Sequence, residues 1–227
     1  MKKGFKQIGF YIFLAVALLQ LIAIQFNIPL LIIISKPMLM PVLAMVVWSY
    51  GMQGRQRNYI LAALFFSFLG DSFLLLDDKQ PLFFIAGLIS FLITHMLYII
   101  YFLAIKPIRK SLIKSHPYLP VLIILYGAGL VYFLYPSLGD LKIPVIIYAA
   151  VICTMLLCSI HIYKRVSTTS GQQFIMGALL FVVSDSLLAI YKFYQPFALG
   201  SLFIMLTYCG AQYFLIKGFV SNRRRSY

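Results

Sequence analysis

Two aspartates lie within the most apolar parts of the chain. Asp71 occurs in FFSFLGDSFLLL and Asp185 in LLFVVSDSLLAI. An ionisable residue at bilayer depth is costly and marks a functional site by default. Two carboxylates in one cavity of low dielectric constant resist being ionised together, which leaves an acid beside a base. Such a pair can hydrolyse a bond through an oxocarbenium-like state, or it can couple transport to protons. The residues alone leave both alternatives open.

A lysine interrupts a third apolar segment, IIISKPMLMP. Lys36 would suit a carboxylate or a lipid phosphate as a partner, although a lysine can also extend its ammonium to the membrane interface. Pro37 and Pro41 follow it and interrupt the backbone hydrogen-bond ladder, which is tolerated where a helix lines a cavity. The segment therefore predicts that Lys36 belongs to a site.

Five further polar side chains lie at similar depth in apolar segments. His95 and Tyr98 are three residues apart, and Tyr208 and Gln212 are four apart, so each pair shares one face of a helix. Tyr148 is a weaker candidate, since tyrosine is common near a membrane interface. Each residue alone would be an ordinary interhelical hydrogen bond, but together they predict the walls of a polar pocket.

The remaining polar residues predict neither a metal nor a cofactor. Four serines accompany the aspartates, and serine in membrane helices usually bonds its own backbone; they are Ser67, Ser72, Ser184 and Ser186. The sequence has no Gly-x-Ser-x-Gly motif, no HExxH motif and no Cys/His cluster.

The elements that position these residues are membrane helices. Of the 227 residues, 63% are hydrophobic and 11% charged, against about 45–50% and 25% in a soluble domain. Because the apolar runs are long and do not alternate, they predict helices rather than barrel strands. The prediction is an all-α membrane protein with eight transmembrane helices, at about 8–25, 28–50, 59–76, 82–104, 117–135, 142–163, 173–191 and 195–217.

The net charge of +14 follows the membrane topology. Cations are concentrated in alternate connecting segments, which predicts cytoplasmic N and C termini in the cell membrane and no nucleic-acid role. The first apolar run is interpreted as a retained helix, with a cleaved signal peptide as the alternative. Fifteen cations follow the pattern: Lys2, Lys3, Lys6, Arg55, Arg57, Lys106, Arg109, Lys110, Lys114, Lys164, Arg165, Lys217, Arg223, Arg224 and Arg225. The opposite segments hold Lys79, Lys142 and Lys192 beside Asp77, Asp78 and Asp140.

A shift of 114 residues places Asp71-Ser72 over Asp185-Ser186. The shift spans four helices, so the sequence predicts a parallel four-plus-four internal repeat within one transmembrane domain, 1–227. Its halves are about 1–110 and 111–227. The third and seventh helices would then run in the same direction, with both aspartates at one depth and directed into one cavity.

Five motifs in order resemble the YhhN family: SKPMLMP, LGDSFLL, FLITHMLY, SDSLLA and YCGAQYFLI. Characterised members are lysoplasmalogenases, which are multi-pass membrane hydrolases. The resemblance implies cleavage of the vinyl-ether bond of lysoplasmalogen to a fatty aldehyde and a glycerophospho-alcohol. It also implies that Asp71 and Asp185 match the family's presumed catalytic pair.

The resulting hypothesis is a membrane hydrolase that uses an aspartate dyad and has a lysophospholipid substrate and the lipid bilayer as partners. Lys36 would bind the phosphate or influence one carboxylate. The glycerol, water or carboxylates would be positioned by His95, Tyr98, Tyr148, Tyr208 and Gln212. The alternatives are a proton-coupled small-molecule or lipid transporter with the same pair, and a lipid-binding regulator. The sequence specifies no oligomeric state.

Overall fold

The computed structural model describes residues 2–51, 53–77, 80–105 and 112–222, and they are helical with no strand among them. Eight helices in the described part are 17 residues or longer, because long apolar runs satisfy their backbone groups internally as helices. A one-turn helix lies between the fourth and fifth of them. The helices are α1 (Lys2–Gln25), α2 (Pro29–Ser49), α3 (Arg55–Leu74), α4 (Pro81–Leu103), α5 (Leu112–Ser115), α6 (Tyr118–Leu134), α7 (Lys142–Ile162), α8 (Thr168–Ala189) and α9 (Gly200–Asn222).

The protein is a multi-pass membrane protein. Seven of the described helices are long and apolar enough to cross a bilayer, namely all the long ones except α3. α3 has 20 residues, but it begins with Arg55 and Arg57 and contains Asp71, which makes it less apolar than the others. The predicted order of helices is confirmed. α3 has the length of a membrane-spanning helix, but its composition is less apolar than that of the other seven.

Several predicted helix ends are wrong. α8 begins at Thr168 instead of 173, because the Ser167 hydroxyl accepts a hydrogen bond from the Ser170 amide at 3.1 Å and caps the helix. Beyond Ala189 the chain continues as a π-helical turn, Ile190–Tyr194. α9 begins at Gly200 instead of 195, directly after Leu199, whose φ is 58°. Hydropathy identifies only the apolar part of a helix, whereas capping residues and turns determine where the helix begins and ends.

Some charges used for the topology prediction lie outside the described residues, and the orientation of the termini stays a prediction. They are Asp78, Lys79, Lys106, Arg109, Lys110, Arg223, Arg224 and Arg225.

The chain divides into two compact units, and the first is Met1–Tyr101. Within it α1 packs on α2 and α2 packs on α3. The buried Ser35 hydroxyl on α2 donates to Gln20 Oε1 on α1 at 2.5 Å. α2 remains a continuous helix through Pro37 and Pro41.

The second unit is Phe102–Tyr227. α9 packs along α8, and glycines allow close approach there: a Cβ on Gly177 would lie 2.9 Å from the Ala211 carbonyl oxygen. α7 packs between α6 and α8. Buried Leu134, Leu138 and Val145 join the end of α6 to the start of α7.

Candidate active site

Asp71 lies on α3 where that helix packs closely against α4. Its side chain is buried, with 2% exposed. One residue before it, a Cβ on Gly70 would lie 2.7 Å from the Phe91 ring of α4, so glycine is required for this approach. One turn before it, the Ser67 hydroxyl is 3.2 Å from the Thr94 hydroxyl. Asp71 and Ser67 share a helix face, which places the carboxylate on the side of α3 that packs inward.

The other candidates of the first unit differ in burial. His95 and Tyr98 are fully buried on α4, and His95 directly follows Thr94. Lys36 is only half-buried on α2, next to the buried Ser35. His95 and Tyr98 thus share a buried face of α4, whereas the Lys36 side chain is partly exposed.

Asp185 on α8 receives a hydrogen bond from α7. The Tyr148 hydroxyl donates to Asp185 Oδ2 over 2.5 Å, and both residues are half-buried. Hydrogen bonds to ionised acceptors are short and strong. Tyr148, the weakest of the sequence candidates, thus contacts a proposed catalytic carboxylate.

A second tyrosine, which the sequence analysis missed, lies beside Asp185. The Tyr126 hydroxyl of α6 donates to Ser186 Oγ at 2.8 Å, and Ser186 in turn donates to the Val182 carbonyl at 2.6 Å. Tyr126 lies in the middle of the predicted fifth span, away from the interfaces where tyrosine is ordinary. That mid-span position was the signal that could have identified it.

These polar groups line a small cavity between α6, α7 and α8. Its volume is about 50 Å³, and Tyr126, Tyr148, Asp185 and Ser186 lie in its wall among apolar residues. A cavity needs only about 10–15 Å³ and two to four polar partners to hold a water molecule. The space beside Asp185 therefore has the size and polarity to hold water.

Tyr208 and Gln212 are buried on α9, on the face that packs against α8. The Tyr208 ring meets the Phe181 ring edge-on, with centroids 5.8 Å apart. One turn earlier, the Ser184 hydroxyl of α8 donates to the Ile204 carbonyl at 3.1 Å. These residues belong to the α8–α9 interface, in the turn of α8 that precedes Asp185.

The serines divide between two kinds of contact. Ser72 and Ser186 donate to carbonyls one turn earlier in their own helices, as predicted. Ser67 and Ser184 bond to a neighbouring helix, and Ser186 also accepts the Tyr126 hydroxyl of α6. Polar bonds between helices therefore occur beside both aspartates.

Asp71, Lys36, His95 and Tyr98 belong to the first unit, and the other candidates to the second. Within the second unit the structure brings Tyr148 to Asp185. In the described ranges, His, Cys, Asp and Glu side chains form no group of three that would suit a metal ion. The functional roles of all eight candidates stay predictions.

Comparison with known proteins gives a consistent set of relatives. The lysoplasmalogenase TMEM86A of Bos taurus is 33% identical over 171 residues, which is 72% of this chain and 66% of that protein. A lysoplasmalogenase of Mycobacterium tuberculosis is 29% identical over 179 residues, 75% of this chain and 63% of that protein. The human lysoplasmalogenase TMEM86B is 29% identical over 175 residues, which is 76% of this chain and 69% of that protein.

The chain thus spans a little less than two thirds of the length of the bovine and mycobacterial relatives. No solved structure matches it significantly. The model of the YhhN family matches residues 31–219, which include both aspartates and all the other candidate residues. Because that match covers most of the sequence, the chain belongs to the YhhN family.

Proposed function

We propose that this protein is a membrane hydrolase that cleaves the vinyl-ether bond of lysoplasmalogen by acid–base catalysis with Asp71 and Asp185. The family and the shared name of the relatives support the substrate class. The structural observation that carries the proposal is the carboxylate of Asp185, hydrogen-bonded by Tyr148 beside a cavity of water size within a membrane-spanning helix.

The chemistry needs one proton donor and one proton acceptor. The acid protonates the β-carbon of the vinyl ether, which gives an oxocarbenium ion. The base takes a proton from water, and the oxygen of that water bonds to the cationic carbon to form a hemiacetal. The protonated base then gives its proton to the leaving ether oxygen while the hemiacetal hydroxyl returns a proton to the first group. An aldehyde and an alcohol leave, one water is consumed, and both carboxyl groups regain their starting states.

We assign the acid to Asp71 and the base to Asp185. Asp71, which is almost fully buried on α3, is the partner carboxyl that supplies the proton in this proposal. Asp185 accepts a hydrogen bond from Tyr148 and lies at the water-sized cavity, where a base meets the water that it activates. The pairing of the two groups in one cavity belongs to the proposal.

The remaining candidates keep the roles expected from the sequence. Lys36, which is half-buried, binds the lipid phosphate or influences a carboxylate. The glycerol and the catalytic groups are positioned by His95, Tyr98, Tyr148, Tyr208 and Gln212.

The proposed architecture is a parallel repeat in one transmembrane domain with cytoplasmic termini in the cell membrane. A matching contact supports the repeat, because the 114-residue shift places the Ser67–Thr94 contact of α3 and α4 over the Phe181–Tyr208 contact of α8 and α9. The 114-residue shift relates α3 to α8 and α4 to α9, so matching helix pairs pack in a similar way.

Substrate comparison tests the reaction. Purified protein in detergent should release aldehyde from a lysoplasmalogen and none from the analogue with a saturated ether, because only the vinyl ether can be protonated at carbon. Aldehyde is measured by coupling to an aldehyde dehydrogenase, without any ion gradient. Equal turnover of the two lipids would refute the mechanism.

The Tyr148→Phe variant tests the contact at Asp185. Loss of the hydroxyl removes a bond to a charged acceptor, for which about 1.5–3 kcal/mol is typical, so kcat should fall about tenfold or more with a small change in KM. The control is Tyr11→Phe, because Tyr11 is 70% exposed on α1. Equal rates for Tyr148→Phe and the parent protein would remove Tyr148 from the mechanism.

Proton-coupled transport, the alternative from the sequence, gains no support from the relatives, whose names all describe a lysoplasmalogenase. It predicts gradient-dependent uptake in liposomes without bond cleavage.

A further inference from the structure

A large apolar groove runs between α6 and α7, and we call it the α6–α7 groove. Its volume is about 710 Å³, within the range of roughly 300–1,000 Å³ typical of small-molecule sites. Its walls include Ile124, Ala128 and Tyr132 of α6 and Ile146, Ala150 and Leu157 of α7. Both helices are membrane-spanning, so the groove lies at the depth of the hydrocarbon chains.

The groove adjoins the cavity at Asp185. Four residues line both spaces: Gly127, Val131, Ala149 and Cys153. A molecule in the groove is therefore separated from the polar cavity by residues that belong to both walls. This adjacency links the groove to the proposed reaction.

Small residues create the groove, and the Thr154 hydroxyl in its wall is already hydrogen-bonded to the backbone. A Cβ on Gly127 would lie 2.8 Å from the Cys153 sulfur, so a larger residue there would move the two helices apart. Ala128, Ala149 and Ala150 leave the space open. The Thr154 hydroxyl donates to the Ala150 carbonyl at 2.7 Å. An occupant is thus offered apolar contacts over most of the groove's length.

One end of the groove carries a positive charge. Tyr135 lines this end, and the Lys142 ammonium lies 4.6 Å from the centroid of its ring. Lys142 begins α7, Tyr148 lies about 9 Å further along the helix axis, and Leu157 about 14 Å beyond Tyr148, at 1.5 Å per residue. A cation, the contact to Asp185 and an apolar channel therefore follow one another along α7.

We propose that the α6–α7 groove binds the hydrocarbon chain of a single-chain glycerophospholipid, with its phosphate at Lys142 and the bond to be cleaved beside Asp185. The inference rests on the proposed function and names the substrate-binding surface of that site. With the phosphate at Lys142, Lys36 keeps the second of its two expected roles, to influence a carboxylate. A lysoplasmalogen has the same order of parts: an anionic phosphate, a short glycerol, the vinyl ether and a long chain.

The binding of one chain in particular follows from the shape of the site. Lipid tails are as apolar as the groove, so transfer of a chain from the bilayer supplies little hydrophobic driving force. Selection must come from the fit of one chain in the groove together with the charge at its end. A diacyl lipid would have to place a second chain outside the groove.

Photolabelling of the intact protein tests this without requiring turnover. The probe is a saturated 1-alkyl lysophospholipid with a diazirine near the end of its chain, in nanodiscs of diacyl phosphatidylcholine. The label should concentrate on α6 and α7 near Ile124 and Leu157, and an unlabelled lysophospholipid should compete for it. If all lipid-facing helices are labelled evenly, or if additional diacyl lipid competes for the label as well as the lysophospholipid does, the probe only contacts protein from the bilayer. Either result would overturn the proposal.

Filling the groove gives the matched variants. Ala128→Phe and Ala150→Phe project into the groove without lining the Asp185 cavity, and each should reduce groove labelling about tenfold by steric exclusion. The control is Ala15→Phe, the same substitution at an exposed position of α1, which should label as the parent protein does. Equal labelling of all three variants would contradict the proposal.

Lys142→Gln tests the charged end. It should weaken labelling by the phosphate-bearing probe several-fold and leave labelling by the matching 1-alkylglycerol unchanged. An equal effect on both probes would remove the phosphate from the proposal. If the groove labels as expected but the protein releases no aldehyde, the groove is a lipid site and only the proposed reaction fails. If aldehyde is released but the label is distributed evenly, the groove assignment fails alone.

Discussion

Asp71→Asn and Asp185→Asn should each reduce aldehyde release from lysoplasmalogen by about 10²–10⁴-fold, the usual contribution of a positioned general acid or base. Asparagine keeps the shape of aspartate, so the helices should still pack, but the amide can neither supply the proton nor accept one from water. Initial rates at saturating substrate measure the effect, and circular dichroism together with gel filtration in detergent checks the fold.

The design of this experiment separates catalysis from general damage. Asp140→Asn is the matched control, because Asp140 is exposed in the turn before α7, and it should retain full activity. Residues that act as a unit show strongly non-additive effects. The double variant should thus be about as slow as either single variant. Full turnover in both single variants, or losses that simply multiply, would contradict a catalytic pair.

Gly177→Val, at a buried position of α8, should destabilise the protein more than a glycine-to-valine change at an exposed helical position. A Cβ there would lie 2.7 Å from Leu215 Cγ and 2.9 Å from the Ala211 carbonyl oxygen, and backbone atoms cannot rotate away. Overpacking of this kind costs about 1–3 kcal/mol and occasionally more. The melting temperature in detergent should therefore fall, together with activity at higher temperature.

Gly129→Val is the control for that variant. Gly129 is exposed on α6, and a Cβ there meets nothing within 4 Å. Valine is also the better helix former, so this change should leave the melting temperature equal or slightly higher. If both variants melt at the same lowered temperature, close packing of α8 on α9 does not hold this unit together.

The helices and the existence of a polar site could be predicted from the sequence. Apolar runs of about 20 residues have few alternatives to membrane helices, so the order of elements follows from composition. Asp185 and Tyr148 stood out because each is polar within such a run. Their contact, however, depends on the rotation of α7 against α8, which no spacing within either helix specifies.

Other parts of the site depend on three-dimensional packing. Tyr126 is one of 16 tyrosines, and its mid-span position alone does not reveal that it bonds to Ser186. The α6–α7 groove arises from small residues on two helices, Gly127, Ala128, Ala149 and Ala150. Small residues are common in membrane helices, so they indicate a groove only once the structure shows that they face each other. The start of α8 was missed because the Ser167 cap lies outside the apolar run.

Each of the three hydroxyl groups around the Asp185 cavity already donates its proton to an acceptor of the protein. Tyr126 gives its proton to Ser186, Ser186 gives its proton to a backbone carbonyl, and Tyr148 gives its proton to Asp185. A group whose hydroxyl proton is already donated can only accept further hydrogen bonds. Water, which brings two protons of its own, suits such a wall and keeps the lone pairs of its oxygen directed away from it. In the proposed reaction the cavity would thus hold a water with its nucleophilic oxygen toward the substrate.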